Sequence, residues 1–246
     1  MQAQLTIFSS DKALVEAVAS RMIQLIQQAH AEQRQCNIAL SGGSTPKRLY
    51  EYLRQRAHNN DIPWEHAHFF LGDERYVPND HPDSNYALAQ RYLFDDLLQH
   101  KNKVAIEAVA THLSPQQAAQ DYSQRLSCLP QKNHLPVFDL ILLGIGEDGH
   151  TASLFPDTNA LKETEHGFVA NYVDKLKCWR LSISIPVINQ AKQIIILACG
   201  ASKQTILKQV LDEAKTDPQY PVNHIQAQGQ FECFADKEAA RLIDGK

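Results

Sequence analysis

The sequence predicts an α/β fold in which helices cover both faces of a mainly parallel sheet. Short apolar stretches alternate with helical patterns along the 246 residues, as in strands joined by crossover helices. Two of these stretches, FDLILLG (138–144) and QIIILACG (193–200), are almost continuously apolar, which is typical of strands buried on both faces. We therefore expect one three-layer, Rossmann-like domain over residues 1–246.

The first half of the chain alternates four predicted strands with four predicted helices. The strands cover residues 5–8, 36–41, 66–74 and 104–106. The helices cover a stretch that starts at Asp11 and residues 46–56, 84–98 and 114–129. Asp11 is the expected cap of the first helix, and Ser114 and Pro115 are the expected cap and first residue of the fourth.

The second half continues the same alternation. Strands are expected over 138–144, 179–185 and 193–200, with short segments near 222–226 and 231–234. The alternation in WRLSISI (179–185) favours an outer or antiparallel strand. Helices are expected over 202–214 and from Lys237. Ligands of such sheets bind beyond the carboxyl ends of the strands. The candidate ligand loops therefore follow Leu40, Leu71, Leu143 and Ala198.

Composition and charge are those of an ordinary globular enzyme. Hydrophobic residues make up 43% of the chain, and 24 basic against 28 acidic residues give a net charge of −4. A mildly acidic chain does not favour a nucleic-acid partner. No apolar run approaches the roughly 18 residues of a membrane span, and the first residues lack a signal-peptide pattern. We expect a cytoplasmic monomer or weak homodimer without nucleic-acid or membrane partners.

The stretch GIGEDGHTASLFP (144–156) matches the pattern G-x-G-x-x-G, which occurs in dinucleotide-binding turns. The context contradicts that interpretation, because Pro156 lies where the required helix should run. Glu163 and Glu165 lie at the distance of the acidic residue that binds a ribose, but no predicted strand precedes them. A nucleotide cofactor is therefore not expected.

The same loop places His150 beside Asp148 at the expected ligand edge. An unperturbed imidazole has a pKa of about 6.5, so His150 is suited to act as a base near neutral pH. Gly146 and Gly149 allow backbone amides of the loop to approach a ligand closely. Asp148 either holds the imidazole or only stabilises its own loop.

The stretch LSGGSTPKRLY (40–50) contains a turn that joins a strand to a helix, and its pattern predicts an anion-binding site. Gly42 and Gly43 allow N–H groups to converge, and the first amides of a helix have no helical partner. Hydroxyl donors come from Ser41, Ser44 and Thr45. No G-K-[ST] follows at the required spacing, so a sugar phosphate or another small anion is favoured over a nucleoside triphosphate. A tight turn with an ordinary helix cap is the alternative.

Charged residues near other strand ends complete the candidate site. Asp73, Glu74 and Arg75 follow the third strand, either as part of a site or as a solvated rim. A helix terminus contributes only about 0.3–1 kcal/mol toward an anion, so basic side chains should join the turn. Arg180 and Lys203 are the candidates, with a solvated surface charge as the alternative for each.

Taken together, these motifs resemble the 6-phosphogluconolactonase family. The matching strings are SGGSTP, GDERYVP with HPDSNY, and GIGEDGHTASLFP, followed by Arg180 and Lys203. They occur in the family's order, and the resemblance extends from about residue 5 to 242. YPVNHI and FECFAD, near the end of the chain, fit the family less well. The resemblance implies a fold similar to glucosamine-6-phosphate deaminase, without a metal or an organic cofactor.

The resemblance also implies a reaction and roles for residues. The reaction is hydrolysis of 6-phospho-D-glucono-1,5-lactone to 6-phospho-D-gluconate in the oxidative pentose phosphate pathway. By position, residues 41–45 match the phosphate-side loop, Arg75 the arginine of the G-D-E-R motif, and His150 the histidine of the D-G-H loop. Arg180 and Lys203 match basic positions that reach the phosphate.

The resulting hypothesis is attack on the lactone carbonyl by water that His150 deprotonates. Backbone amides of the 144–149 loop, or Arg75, would stabilise the oxyanion, and Asp73 is expected among the substrate-binding residues. A serine nucleophile is disfavoured because no G-x-S-x-G pattern is present.

Two other functions compete with this one. One is a sugar-phosphate deaminase on the same scaffold. Deaminases of this kind have sequences similar to DEY after the third strand and GHIAFNEP in the glycine loop, whereas this chain has GDERYV and GHTASLFP at these places. A non-catalytic sugar-phosphate sensor would often add a DNA-binding helix pair. We find no segment for such a pair, and the net charge does not favour it.

Overall fold

The computed structural model describes residues 2–56, 62–95, 97, 104–211 and 217–243. The strands in these residues are β1 (Gln4–Phe8), β2 (Cys36–Leu40), β3 (Ala67–Leu71), β4 (Asp73–Arg75), β5 (Ala105–Ile106), β6 (Gln131–Lys132), β7 (Leu135–Pro136), β8 (Leu140–Gly144), β9 (Phe168–Val173), β10 (Cys178–Ile183), β11 (Gln193–Ala198) and β12 (Gln230–Asp236).

Helices connect most of these strands. The α-helices are α1 (Asp11–Ala31), α2 (Ser44–Arg56), α3 (Asn85–Ala89), α4 (Pro115–Leu126), α5 (Ile185–Gln190), α6 (Gln204–Leu211) and α7 (Lys237–Ala240). A π-helical turn at Gln90–Phe94 continues α3. Short 3₁₀ helices cover Trp64–His66, Asn159–Lys162, Asp174–Leu176, Ala201–Lys203 and Pro221–His224. No helix in the described part of the chain is both long and apolar enough to cross a membrane.

The main sheet has seven strands in the order β1-β12-β11-β8-β2-β3-β5, and every neighbouring pair is parallel. Its central strands are covered on both faces. In β8, Leu140 and Leu142 belong to the apolar cluster with α1 and α2, whereas Ile141 and Leu143 belong to the cluster with α4, α5 and α6. The prediction of a parallel sheet between two helical layers is confirmed.

A second sheet carries β4, β10 and β9 in antiparallel order. The alternating stretch predicted as an outer or antiparallel strand is β10 of this sheet. The sequence analysis did not predict β9. Asn171 breaks its apolar character, and this side chain is buried because it donates to the Ser153 carbonyl (3.0 Å) and the Thr158 hydroxyl (3.1 Å). These partners are distant in sequence and cannot be inferred from the strand itself.

Helix ends differ from the predictions in several places. Ser10 rather than Asp11 caps α1, since its hydroxyl accepts from the Ala13 amide at 3.2 Å. Ser114 forms a capping box at the start of α4, and Pro115 is its first residue, as predicted. The helix predicted over 84–98 is α-helical over Asn85–Ala89 and again at Asp95 and Leu97, with the π-helical turn between them, and residues 96 and 98 lie outside the described residues.

The predicted helix over 202–214 also begins differently. Ala201–Lys203 forms a 3₁₀ turn, and α6 then runs from Gln204 to Leu211, with residues 212–214 outside the described range. Helix α2 begins at Ser44, two residues before the predicted start. Both differences lie at carboxyl ends of strands, where the chain turns sharply into a helix.

Candidate active site

A cleft of about 250 Å³ opens at the carboxyl edge of the parallel sheet. All four loops that the sequence analysis selected contribute to its walls. They supply residues 41–46 after β2, Asp73 and Arg75 after β3, parts of the 144–152 loop after β8, and Cys199 and Lys203 after β11. Residues separated by up to about 160 positions are thus brought together because the strands are parallel and end at one edge.

The turn at residues 41–45 forms one wall of the cleft. The Tyr50 hydroxyl donates to the Ser41 carbonyl at 2.6 Å, which ties the turn to the next helix. The first helical hydrogen bond of α2 runs from the Lys47 amide to the Gly43 carbonyl at 3.1 Å. The amides of Ser44 and Thr45 therefore precede the helical ladder and can donate to an anion.

Close packing explains why residue 42 is glycine. A Cβ atom at Gly42 would lie 1.8 Å from the Asn85 side-chain oxygen. The Asn85 amide group in turn donates to the Asp73 carbonyl at 2.8 Å. Asn85 therefore joins the anion turn to the strand end that carries Asp73 and Arg75.

Glu74 fixes the backbone on that side of the cleft. Its carboxylate is fully buried and accepts from the amides of Arg75 (2.7 Å), Asn85 (2.7 Å) and Tyr86 (2.9 Å) and from the Ser84 hydroxyl (3.0 Å). Burial raises the pKa of Glu74, and these hydrogen bonds oppose the increase. Glu74 is thus neither a solvated rim residue nor a lining residue.

The two charged neighbours of Glu74 face the cleft. Asp73 is buried, and its Oδ2 atom accepts from the Ser153 hydroxyl at 2.7 Å. The Arg75 guanidinium donates to the Asp83 carbonyl at 2.8 Å, and Arg75 lines the cleft. A carboxylate and a guanidinium are therefore available to a ligand in the same cleft.

The loop after β8 holds the imidazole of His150. The Nδ1 atom of His150 lies 2.5 Å from Oδ1 of Asp148, and the ring stacks on Phe155 with centroids 4.2 Å apart. A Cβ atom at Gly146 would lie 2.0 Å from this same Nδ1 atom. The imidazole is therefore positioned by a carboxylate and an aromatic ring in space that only glycine at 146 leaves open.

Asp148 is ionised in this arrangement. Partial burial acts to raise the pKa of Asp148, but hydrogen bonds from His150 and Lys175 outweigh it, so the pKa lies below its ordinary value. The Lys175 ammonium lies 3.2 Å from Oδ2 of Asp148, on the turn between β9 and β10. Because a carboxylate only accepts, Nδ1 of a neutral His150 carries the proton and Nε2 is left as the base.

Some backbone amides of the loop are already used within it. The Gly146 amide donates to the His150 carbonyl at 2.8 Å, and the Gly149 amide donates to the Gly146 carbonyl at 3.0 Å. Gly146 lines the cleft. Gly149 instead packs against Tyr220, and its carbonyl accepts from the Val222 amide at 3.1 Å.

The two predicted phosphate-binding cations have different surroundings. Lys203 lines the cleft and ends a 3₁₀ turn that begins at Gly200. Both carboxylate oxygens of Asp236 lie 3.1 Å from the Gly200 amide and fix this turn. Arg180 pairs with Arg75 across the β10–β4 ladder, but its guanidinium turns back toward Cys178 Sγ at 2.9 Å.

Residues 9–233 match the family described as glucosamine-6-phosphate isomerases/6-phosphogluconolactonase. The chain belongs to this family.

Relatives place the chain on the lactonase branch of the family. It is 40% identical over 246 residues to a 6-phosphogluconolactonase of Synechocystis, with 99% of each chain covered. It is 36% identical over 245 residues to the human 6-phosphogluconolactonase, covering 97% of this chain and 93% of that protein. The solved 6-phosphogluconolactonase of Trypanosoma brucei is 30% identical with a TM-score of 0.84, covering 98% of both chains.

A more distant structure confirms the predicted fold similarity. A monomeric glucosamine-6-phosphate deaminase aligns with a TM-score of 0.75 at 20% identity, covering 97% of this chain and 99% of that one. At this identity the likeness shows the shared fold alone.

Within this lactonase-branch member, the predicted site residues divide into two groups. Those that line the cleft are Ser41, Gly42, Gly43, Ser44, Thr45, Asp73, Arg75, Gly146, His150 and Lys203. Asp148, Gly149 and Arg180 do not line it, although all three lie beside residues that do.

Several residues that support the site were not predicted from the sequence. Phe155 lies inside the quoted motif, so its spacing from His150 was a usable signal. Lys175 and Tyr220 contact the loop from distant parts of the chain, and nothing in their local sequence marks them. Ser153, which donates to Asp73, also lies inside the quoted motif.

Proposed function

We propose that this chain hydrolyses 6-phospho-D-glucono-1,5-lactone to 6-phospho-D-gluconate in the oxidative pentose phosphate pathway, with His150 as the general base. The observation that carries the proposal is the presence of an oriented imidazole and an anion-binding helix start in one cleft. The names of the relatives on the lactonase branch support the choice of substrate.

The phosphate of the substrate binds at the 41–45 turn. Free amides at the start of α2 and the hydroxyls of the turn donate to its oxygens. Lys203 contributes a cation from the end of β11, which is separated from β2 by β8. Arg180 can reach the phosphate only if its guanidinium rotates away from Cys178, so its role requires a change of rotamer.

With the phosphate bound there, the lactone carbonyl faces His150. Nε2 of His150 takes a proton from water as the water oxygen bonds to C1. The Asp148 carboxylate accepts from Nδ1–H and stabilises the imidazolium that forms. The C1–O bond to the ring oxygen then breaks, and His150 returns the proton to that oxygen. The resulting acid ionises and releases one proton to solvent.

Arg75 is the favoured donor to the oxyanion. The sequence left two sources open, the backbone amides of the 144–149 loop and Arg75. The amides of Gly146 and Gly149 already donate within the loop, which removes them as free donors. Arg75 lines the cleft and carries several guanidinium N–H groups, of which the contact with Asp83 uses only part.

The expected contributions are sufficient for an activated ester. A positioned base supplies about 10²- to 10⁴-fold, and each oxyanion donor supplies about 10²- to 10³-fold. No covalent nucleophile is needed. The stacking of Phe155 on His150 also argues against the deaminase alternative, because GHIAFNEP has a glutamate at the corresponding place.

The direct test is proton release from freshly prepared 6-phosphogluconolactone, measured against the spontaneous background. We expect rapid release with the wild-type protein and a kcat at least about 100-fold lower for His150→Ala with the fold intact. Near-normal turnover by this variant would remove His150 from the mechanism. Release of ammonia from glucosamine 6-phosphate would favour the deaminase instead.

A further inference from the structure

We propose that His30, Glu65 and His66 form a binding site for a transition-metal dication such as Zn²⁺. Within the described residues, one ligand atom from each of these side chains lies within 4.8 Å of the ligand atoms of the other two. His30 lies in the last turn of α1, and the other two lie in the 3₁₀ turn Trp64–His66. The site is therefore assembled from two separate elements.

The three donors suit zinc better than calcium or magnesium. Two imidazoles and one carboxylate are common ligands of zinc and neighbouring transition metals, whereas calcium and magnesium prefer oxygen ligands alone. In a tetrahedral site with bonds of about 2.1 Å, ligand atoms lie about 3.4 Å apart. His30 and Glu65 are exposed, so rotation of their side chains can close the remaining distance.

The tautomer of His66 is already set for metal binding. Its Nδ1 atom lies 2.8 Å from the backbone carbonyl oxygen of Arg34. A carbonyl only accepts, so Nδ1 carries the proton and Nε2 keeps its lone pair for a cation. The Arg34 side chain is held by Asp139 at 2.9 Å, which helps to fix the segment that carries this carbonyl.

The position of His30 also favours a cation. The ring of His30 meets the ring of His66 edge-on, with centroids 4.6 Å apart and an interplanar angle of 74°. Helix α1 has 21 residues, and His30 lies in its last turn. The partial negative charge at the carboxyl end of a helix stabilises a nearby positive ion.

The site lies at the opposite edge of the sheet from the cleft. His66 immediately precedes β3, whereas Asp73 and Arg75 follow that strand. A five-residue strand spans about 16 Å, so a metal bound here does not touch the reacting atoms. Its effect is to tie the end of α1 to the turn before β3. The proposal therefore does not depend on the proposed lactonase reaction.

The test is titration of the chelator-treated, dialysed full chain with Zn²⁺, followed by calorimetry, and with Co²⁺, followed by visible d–d absorption. We expect saturable binding that His30→Ala and His66→Ala each weaken at least about tenfold. Zinc at about 100 times the wild-type Kd should raise the Tm of the wild-type protein by about 5 °C and the Tm of each variant by no more than about half as much.

His166→Ala is the matched control. His166 is exposed and lies 3.1 Å from Glu163, and among the described residues this histidine–glutamate pair is not part of a three-ligand group. We expect this variant to bind zinc as the wild type does. Equal affinity in the wild type and in both ligand variants would overturn the proposal, as would a loss of binding in His166→Ala of the same size. The metal-free Tm of each variant checks that it folds.

Discussion

The two sides of the cleft are built from contacts of different range. The anion turn at residues 41–45 is fixed largely by its own neighbourhood, through Tyr50 and the first hydrogen bond of α2. The His150 loop is fixed by Lys175 from the β9–β10 turn and by Tyr220 from a segment about 70 residues later. The anion turn is therefore held mainly by local contacts, whereas the loop that carries His150, Asp148 and Phe155 also depends on contacts from distant segments.

The difference also concerns the atoms used. On the anion side, backbone amides and a helix start supply the donors, and these are present whenever the turn forms. On the imidazole side, a side-chain ring must occupy one orientation between Asp148 and Phe155. We therefore expect substitutions on the imidazole side to change kcat and substitutions on the anion side to change KM.

The largest effect is expected from Gly146→Ala. The added methyl group would occupy the space of the His150 imidazole and displace it, so kcat should fall about 100-fold, as for loss of a general base. Gly167→Ala is the matched control, because its Cβ would make only ordinary contacts, at 3.4 Å or more, and Gly167 does not line the cleft. Steady-state kinetics of both variants decide the matter. Similar small losses for the two variants would show that the position of the ring is not limiting.

A smaller effect is expected from removing the cations on the anion side. A charge-assisted hydrogen bond contributes about 1.5–3 kcal/mol, so Lys203→Ala should raise KM for the phosphorylated lactone at least about tenfold. Arg180→Ala should act in the same direction. Hydrolysis of D-glucono-1,5-lactone, which lacks the phosphate, measures any role of Lys203 and Arg180 other than phosphate binding. Equal losses of kcat/KM on both lactones would show that these residues support the fold or the chemical step and not phosphate binding.

The smallest effect is expected from Lys175→Ala. The Lys175 side chain is 72% exposed, and exposed ion pairs contribute only about 0.2–1 kcal/mol, so kcat should fall by no more than about fivefold. The difference from wild type should shrink in about 1 M NaCl, where screening extends over about 3 Å. Lys177→Ala, on the same turn, is the control. An equal, salt-insensitive loss in both variants would contradict a role through Asp148.

The contrast between the two sides also explains what the sequence could predict. The anion turn, the buried strands and the loops at their carboxyl ends are encoded locally by glycines, hydroxyl residues and apolar runs. Strand β9 was missed because buried Asn171 is explained only by Ser153 and Thr158. The cap of α1 was misassigned by one residue, since Ser10 and Asp11 are both suitable capping residues.

Within the site, prediction was limited by side-chain direction. Sequence spacing placed Asp148 next to His150 but could not say which ring nitrogen the carboxylate contacts. The sequence also placed Arg180 at the edge of the site, and the strand register sets it beside Arg75. The direction of its guanidinium, toward Cys178, could not be predicted. Glu74 was grouped with its charged neighbours, although strand alternation turns it into the interior.

The pairing of β1 has a consequence for synthesis of the chain. Among the described residues, β1 has one strand neighbour, β12, and the register joins Gln4 to Glu232 and Phe8 to Asp236. During synthesis, β1 therefore cannot pair with β12 until more than 200 further residues have left the ribosome. At about 5–20 residues per second, this interval lasts on the order of 10–50 s. During that time the nascent chain exposes an apolar strand edge that chaperones can shield.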